Sequence, residues 1–75
     1  MFLTSNGANY PVLKHGDKGN CVIVLQKLLN KSGYELKEDG RFGPKTLEAV
    51  MAYQAEHGLV VDGKVGPKTW AELTR

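Results

Sequence analysis

The stretch Asp39-Gly40-Arg41-Phe42-Gly43-Pro44-Lys45-Thr46 returns as Asp62-Gly63-Lys64-Val65-Gly66-Pro67-Lys68-Thr69, at a constant offset of 23 residues. Each copy reads as a tight turn that feeds a helix. The Asp carboxylate accepts backbone N–H groups two or three residues on, and the Gly behind it supplies positive φ without a steric penalty. The second Gly is the expected helix N-cap. Pro44 or Pro67 then takes the first helical position, where the N–H that proline lacks has no partner anyway. Phe42 and Leu47 stand at the two ends of a hydrophobic staple, and Val65 and Trp70 do the same in the second copy.

Upstream of the first copy, Cys21, Val22, Leu25, Leu28 and Leu29 converge on one face at about 100° per residue. That pattern predicts a helix over about 18–32, with Asp17 as its N-cap. Gly33 is expected just past its end, with Tyr34 folding back on Leu28 or Leu29. Asn20, Lys27, Asn30 and Lys31 form the opposite face. Ile23 lies among them and Val24 at their margin, an aliphatic pair expected as a docking patch for a partner domain. Residues 35–38 form a short link into the first Asp-Gly turn, where brief strand-like pairing is expected.

A second helix is expected over about 44–57, with Thr46, Leu47, Val50, Tyr53, Gln54 and His57 on its inner face. Gly58 and Leu59 repeat the Gly33-Tyr34 ending. A third helix over about 67–74 contributes Trp70 and Leu73 to the core. The expected fold is all-α, a compact three-helix bundle with two repeated Asp-Gly turn and helix-start units. Residues 1–10 are polar and turn-rich, expected as a linker or flexible leader with Tyr10 exposed. Residues 11–75 are then the domain, with Leu13 tucked onto the bundle.

A chain of 75 residues makes one small domain. At this size only about 60% of the unfolded surface is buried, so caps and turns matter to stability. The net charge of +2 permits attraction to anionic polymers but is far from a nucleic-acid footprint. The single cysteine excludes an internal disulfide. No stretch approaches the roughly 20 apolar residues of a membrane span. Met1-Phe2-Leu3 lacks the basic and apolar regions of a signal peptide, so an export signal or lysis partner is expected elsewhere.

Catalytic readings fare poorly. His15 and His57 have no metal-ligand spacing, and a zinc site needs about three protein ligands. Cys21 sits on an apolar helix face with no base in view. Asp39, Asp62, Glu35 and Glu38 do not suggest a glycosidase pair, because turn bonding occupies the aspartates and so small a domain offers little cleft. No catalytic residue, metal or cofactor is expected.

The run from Asp39 through Phe42, Gly43, Thr46, Ala49, Val50, Tyr53, Gln54, Gly58, Leu59, Asp62, Gly63, Val65 and Gly66 to Thr69-Trp70 resembles the peptidoglycan-binding domain of bacterial and phage cell-wall hydrolases. Gly16, Gly19, Val22, Leu25, Gln26, Leu29 and Gly33-Tyr34 match the same family's first helix, so the resemblance spans 11–75. It implies a non-catalytic module that binds glycan strands and stem peptides and tethers a linked hydrolase, such as an amidase, muramidase, transglycosylase or carboxypeptidase. The implied chain is a monomer with no nucleic-acid or membrane partner. It would work outside the cell, in the wall or periplasm, after export within a longer chain or release by phage lysis. Two alternatives stay open. One is an interaction or inhibitory pro-domain, although Cys21 lies inside a helix rather than in a cysteine-switch motif. The other is a helix-turn-helix DNA binder, against which the link from His57 to Pro67 is too long.

Ligand contact is expected at the two turns. Arg41 and Lys64 hold the same position between the bending Gly and the apolar plug, and should project outward beside Asp39 and Asp62. Arg offers a planar fork to a carboxylate and Lys a point charge. Lys45 and Lys68 each fall at the second position of a helix, where a cation opposes the dipole by about 0.3–1 kcal/mol, so an anionic partner is one reason for their presence. Tyr34 offers a ring face for a sugar. The amides of Gln26 and Gln54 either bind neighbouring turns or reach a ligand amide. The expected ligand residues are Arg41, Asp39, Tyr34, Lys45, Lys64, Asp62 and Gln54, with the first turn dominant.

Overall fold

The computed structural model describes residues 10–75. Its helices are α1 (Asn20–Lys31), α2 (Pro44–Glu56) and α3 (Pro67–Leu73). The segment expected as a leader lies outside the described residues except for Tyr10. Gly43 and Gly66 are the N-caps of α2 and α3 in extended conformation, and a proline follows each at the helix start. α1 and α2 end alike. Tyr34 N–H donates to the Leu29 carbonyl at 3.2 Å and Gly33 N–H to Asn30 at 3.0 Å; Leu59 and Gly58 donate to Gln54 and Ala55 at 2.9 and 3.4 Å. These are paired Schellman closures, and they require positive φ at Gly33 (106°) and Gly58 (69°).

The core gathers Leu13, Val22, Leu25, Leu29, Phe42, Ala49, Val50, Tyr53, Val65 and Trp70. Leu47, expected within it, is half-buried. It leans on the second turn instead, its Cδ1 standing 2.7 Å from where a Cβ on Gly63 would lie. Ile23 does the same for the first turn, with Cγ1 3.1 Å from the corresponding point on Gly40. Ile23 is therefore a lid over Gly40 rather than half of an exposed patch. Only its neighbour Val24 is exposed.

Asp17 does not cap α1. Its carboxylate accepts the Lys14 N–H at 3.0 Å, closing the turn before the helix. The reason is long-range pairing. Gly16 N–H donates to Phe42 O, Phe42 N–H to Asp17 O, and Gly19 N–H to Gly40 O, at 2.9, 2.9 and 3.0 Å. Residues 16–19 thus run beside the first turn, and α1 starts two residues later than the apolar pattern suggests. The strand-like pairing expected at the first turn joins Lys18 to Arg41, and a second such bridge joins Leu13 to Val65. Tyr10 is half-buried rather than exposed. Its ring stacks on Trp70 with centroids 4.3 Å apart, and the Trp70 indole N–H donates to the Pro11 carbonyl at 2.9 Å.

Candidate ligand-binding site

Each Asp-Gly turn is built on a glutamine. Gln26 of α1 is buried at 1% exposure, and its Nε2 faces three acceptors: Asp39 Oδ1 at 3.2 Å, the Arg41 carbonyl at 3.0 Å and Thr46 Oγ1 at 3.1 Å. Its Oε1 accepts the Gly40 N–H at 2.9 Å. Gln54 of α2, also 1% exposed, repeats the set with Asp62 Oδ1, the Lys64 carbonyl and Thr69 Oγ1 at 3.1, 2.9 and 3.2 Å. Its Oε1 accepts the Gly63 N–H at 3.0 Å. An amide nitrogen has two N–H groups, so three acceptors exhaust it. Both glutamines position the turns, and the Gln54 amide has no donor left for a ligand.

The aspartates are half committed. Oδ1 of Asp39 accepts the Arg41 N–H at 3.0 Å besides the Gln26 bond, and Oδ1 of Asp62 accepts the Lys64 N–H at 2.9 Å besides the Gln54 bond. Oδ2 of each takes no hydrogen bond among the described residues and is available to a ligand donor. The backbone N–H of Arg41, then the Gln26 amide, holds the Asp39 carboxyl below its ordinary range; the N–H of Lys64 and the Gln54 amide do the same for Asp62. Both are anions at neutral pH.

Beside each turn lies an open groove of about 620 Å3. The first is bordered by Glu35, Leu36, Lys37, Asp39, Arg41 and Lys45 over a floor that includes Pro44 and Thr46. The second is bordered by Leu59, Val60, Asp62, Lys64 and Lys68 over Pro67 and Thr69. Among the described residues the ion pairs are Lys14–Asp17, Lys27–Glu38 and Glu72–Arg75. Arg41, Lys45, Lys64 and Lys68 are in none of them, so all four cations face solvent at the grooves. Tyr34 is placed differently from the expectation. Its hydroxyl donates to Glu56 Oε1 at 3.2 Å, and its ring borders a smaller hollow that shares Glu35, Leu36 and Lys45 with the first groove. Burial, then the Glu56 carboxylate, raises its pKa.

Sequence reasoning singled out both turns but missed Glu35, Lys37 and Val60 as groove borders. Their signal was position alone, in the links just ahead of each Asp. Among the described residues no group of three His, Cys, Asp or Glu side chains is placed to hold a metal. No helix there is long and apolar enough to cross a membrane.

The family profile described as "Putative peptidoglycan binding domain" matches residues 18–73. The chain belongs to this peptidoglycan-binding family. A spore cortex-lytic enzyme of Halalkalibacterium halodurans is 42% identical over 76 aligned positions, covering all of this chain and 23% of that enzyme. The endolysin of Burkholderia phage AP3 superposes with a TM-score of 0.85 at 49% identity, over 87% of this chain and 25% of the endolysin. The N-terminal domain of SleB gives a TM-score of 0.84 at 40% identity, over 88% of this chain and 92% of that domain. The peptidoglycan-binding domain is thus an all-helical, non-catalytic unit homologous to the binding domains of cell-wall hydrolases. The chain spans 55% of one curated relative and 23% of another.

Proposed function

We propose that this peptidoglycan-binding domain anchors a cell-wall hydrolase to its polymer, with the ligand seated in the groove of the first turn. The observation that carries the site is that groove's chemistry: Arg41 and Lys45, in no ion pair among the described residues, flank an open concavity beside Asp39, whose Oδ2 takes no hydrogen bond among them. Arg41 takes a stem-peptide or lactyl carboxylate as a bidentate pair, Lys45 supplies a second positive charge, and Asp39 Oδ2 accepts an amide N–H or sugar hydroxyl. Tyr34 lies one hollow away and contacts whatever extends past Lys45. Gln26 serves indirectly by fixing the turn.

The anchoring mechanism is effective concentration. A short flexible tether holds a second domain near its substrate at about millimolar levels, so binding raises hydrolysis without a catalytic group of its own. Relatives that are lytic enzymes and an endolysin, of which this domain is a fraction, support that role. The domain then works as a monomer at the wall, outside the membrane, after export within a longer chain or release by phage lysis.

Chemical-shift mapping with a soluble disaccharide–peptide fragment tests the placement. Shifts are expected on residues 35–46, and Arg41→Ala should weaken wall binding with an unchanged melting temperature. Shifts elsewhere, together with normal wall binding by Arg41→Ala, would overturn the site.

A further inference from the structure

The second turn carries a groove that matches the first nearly position for position. Gln26, Asp39, Arg41, Gly43, Pro44, Lys45 and Thr46 border one; Gln54, Asp62, Lys64, Gly66, Pro67, Lys68 and Thr69 border the other. The volumes agree at about 620 Å3, and the hydrogen bonds beneath the two turns agree within 0.1 Å, for example Gln26 Nε2 to Asp39 at 3.2 Å and Gln54 Nε2 to Asp62 at 3.1 Å. Among the described residues none fills the second groove. Val60 stands at its edge 77% exposed, and neither lysine has a carboxylate partner within ion-pair distance among the described residues.

The geometry points to a second ligand site at the Asp62-Lys64-Lys68 groove, making this small domain bivalent for the wall polymer; the inference rests on the first-groove reading above. Its ligand chemistry is narrower than that of the first. Each link lends its groove a leucine, Leu36 or Leu59, but where groove one also has Glu35 and Lys37, able to meet an ammonium as well as a carboxylate, groove two has Gly58 and Val60. Among the described residues its only acid is Asp62, with Oδ1 taken by Gln54 and the turn and Oδ2 left to accept an N–H or hydroxyl as Asp39 does in the first groove. Lys64 and Lys68 therefore bind a carboxylate, and the apolar edge receives methyl groups. That describes the carboxylate-bearing, alanine-rich end of a stem peptide. Neighbouring peptides on the polymer let both grooves engage one wall, and two linked weak sites exceed either alone by about 100-fold or more when geometry permits.

The test uses the full chain and a soluble disaccharide–tetrapeptide with a free C-terminal carboxylate, alongside its C-terminally amidated form. Titration calorimetry should give two fragments per chain. Lys64→Ala/Lys68→Ala should reduce this to one, as should Arg41→Ala/Lys45→Ala, each with an unchanged melting temperature. The amidated fragment should lose the second-groove shifts at Leu59, Val60 and Lys64. On insoluble walls, the Lys64/Lys68 variant should bind about 100-fold more weakly than the unaltered chain. One fragment per chain, with shifts confined to the first groove and walls bound normally by the Lys64/Lys68 variant, would overturn bivalency and leave the first site standing. Loss of wall binding in neither double variant, with no shifts at either groove, would sink both readings.

Discussion

The two Asp-Gly turns share an interior and a groove, and differ in the chain segments that brace them from outside. Beneath each, a buried glutamine amide joins the aspartate, a carbonyl and a threonine hydroxyl. Outside, the first turn is braced by nearby chain. Residues 16–19 pair along it, and Asn30 clamps the link before it, accepting the Leu36 N–H at 2.7 Å and donating to the Leu36 carbonyl at 3.0 Å. Asn30 also donates to Glu38, which pairs with Lys27 at 3.0 Å. Among the described residues the second turn has no such clamp. Its link is two residues shorter and ends in exposed Val60 and Val61. Its support comes from far away, as Leu13 and Val65 exchange both backbone bonds at 3.2 and 2.8 Å and Tyr10 covers Trp70. The lesson is that the interior amide defines the turn, and that its outer bracing is free to come from any segment that supplies the same bonds.

The contrast breaks most visibly at Trp70. Trp70→Ala should cost about 3–5 kcal/mol by cavity formation. It should also release the strap at 10–13, because stack and indole bond vanish together. Calorimetric melting with hydrogen exchange at Val65 and Leu13 measures both; a folded variant with Val65 still protected would show that the second turn does not depend on the strap.

Next in size come Gln26→Glu and Gln54→Glu, which replace a donor with an acceptor opposite three acceptors. Each should lose about 3 kcal/mol, since buried groups left unpaired cost about 1–3 kcal/mol apiece. Near-equal losses would confirm a common interior, whereas a large effect at only one turn would refute it. Asn30→Ala should cost less, about 1–2 kcal/mol from one orphaned backbone pair. Faster amide exchange should appear at Leu36 with none at Leu59 or Val60; acceleration in both links would deny that Asn30 acts on the first turn alone.

The smallest effect is on pH. Asp39 and Asp62 have folded pKa values below the ordinary 3.8, so they bind fewer protons folded than unfolded. Their stabilisation is complete above the ordinary value and fades as pH falls through the depressed one. Melting temperature should hold steady down to about pH 4.5 and decline below it, with a shallower decline in Asp39→Asn and again in the double Asn variant. An unchanged acid slope in the double variant would place the acid-sensitive groups elsewhere.

Much of this molecule was determined by its sequence alone. Gly43-Pro44 and Gly66-Pro67 start helices, Gly33 and Gly58 end them, and apolar residues spaced three or four apart choose the buried faces. Those rules act within one or two helical turns, so a linear reading captures them. The repeated Asp-Gly unit likewise sets Arg41 and Lys64 in the turns and Lys45 and Lys68 at the helix starts. Tertiary structure decided what joins distant residues. The sequence leaves the amides of Gln26 and Gln54 open between neighbouring turns and a ligand, and the partners that make them the interior of each turn lie 8 to 20 positions away. Asp17 looked like a helix cap until chain pairing with Phe42 moved the helix start. Tyr10 looked like an exposed ring, but its neighbour Pro11 meets Trp70 across 59 positions. A hydrogen-bond donor is satisfied by whichever acceptor folding brings near, and neither local propensity nor periodicity encodes that choice.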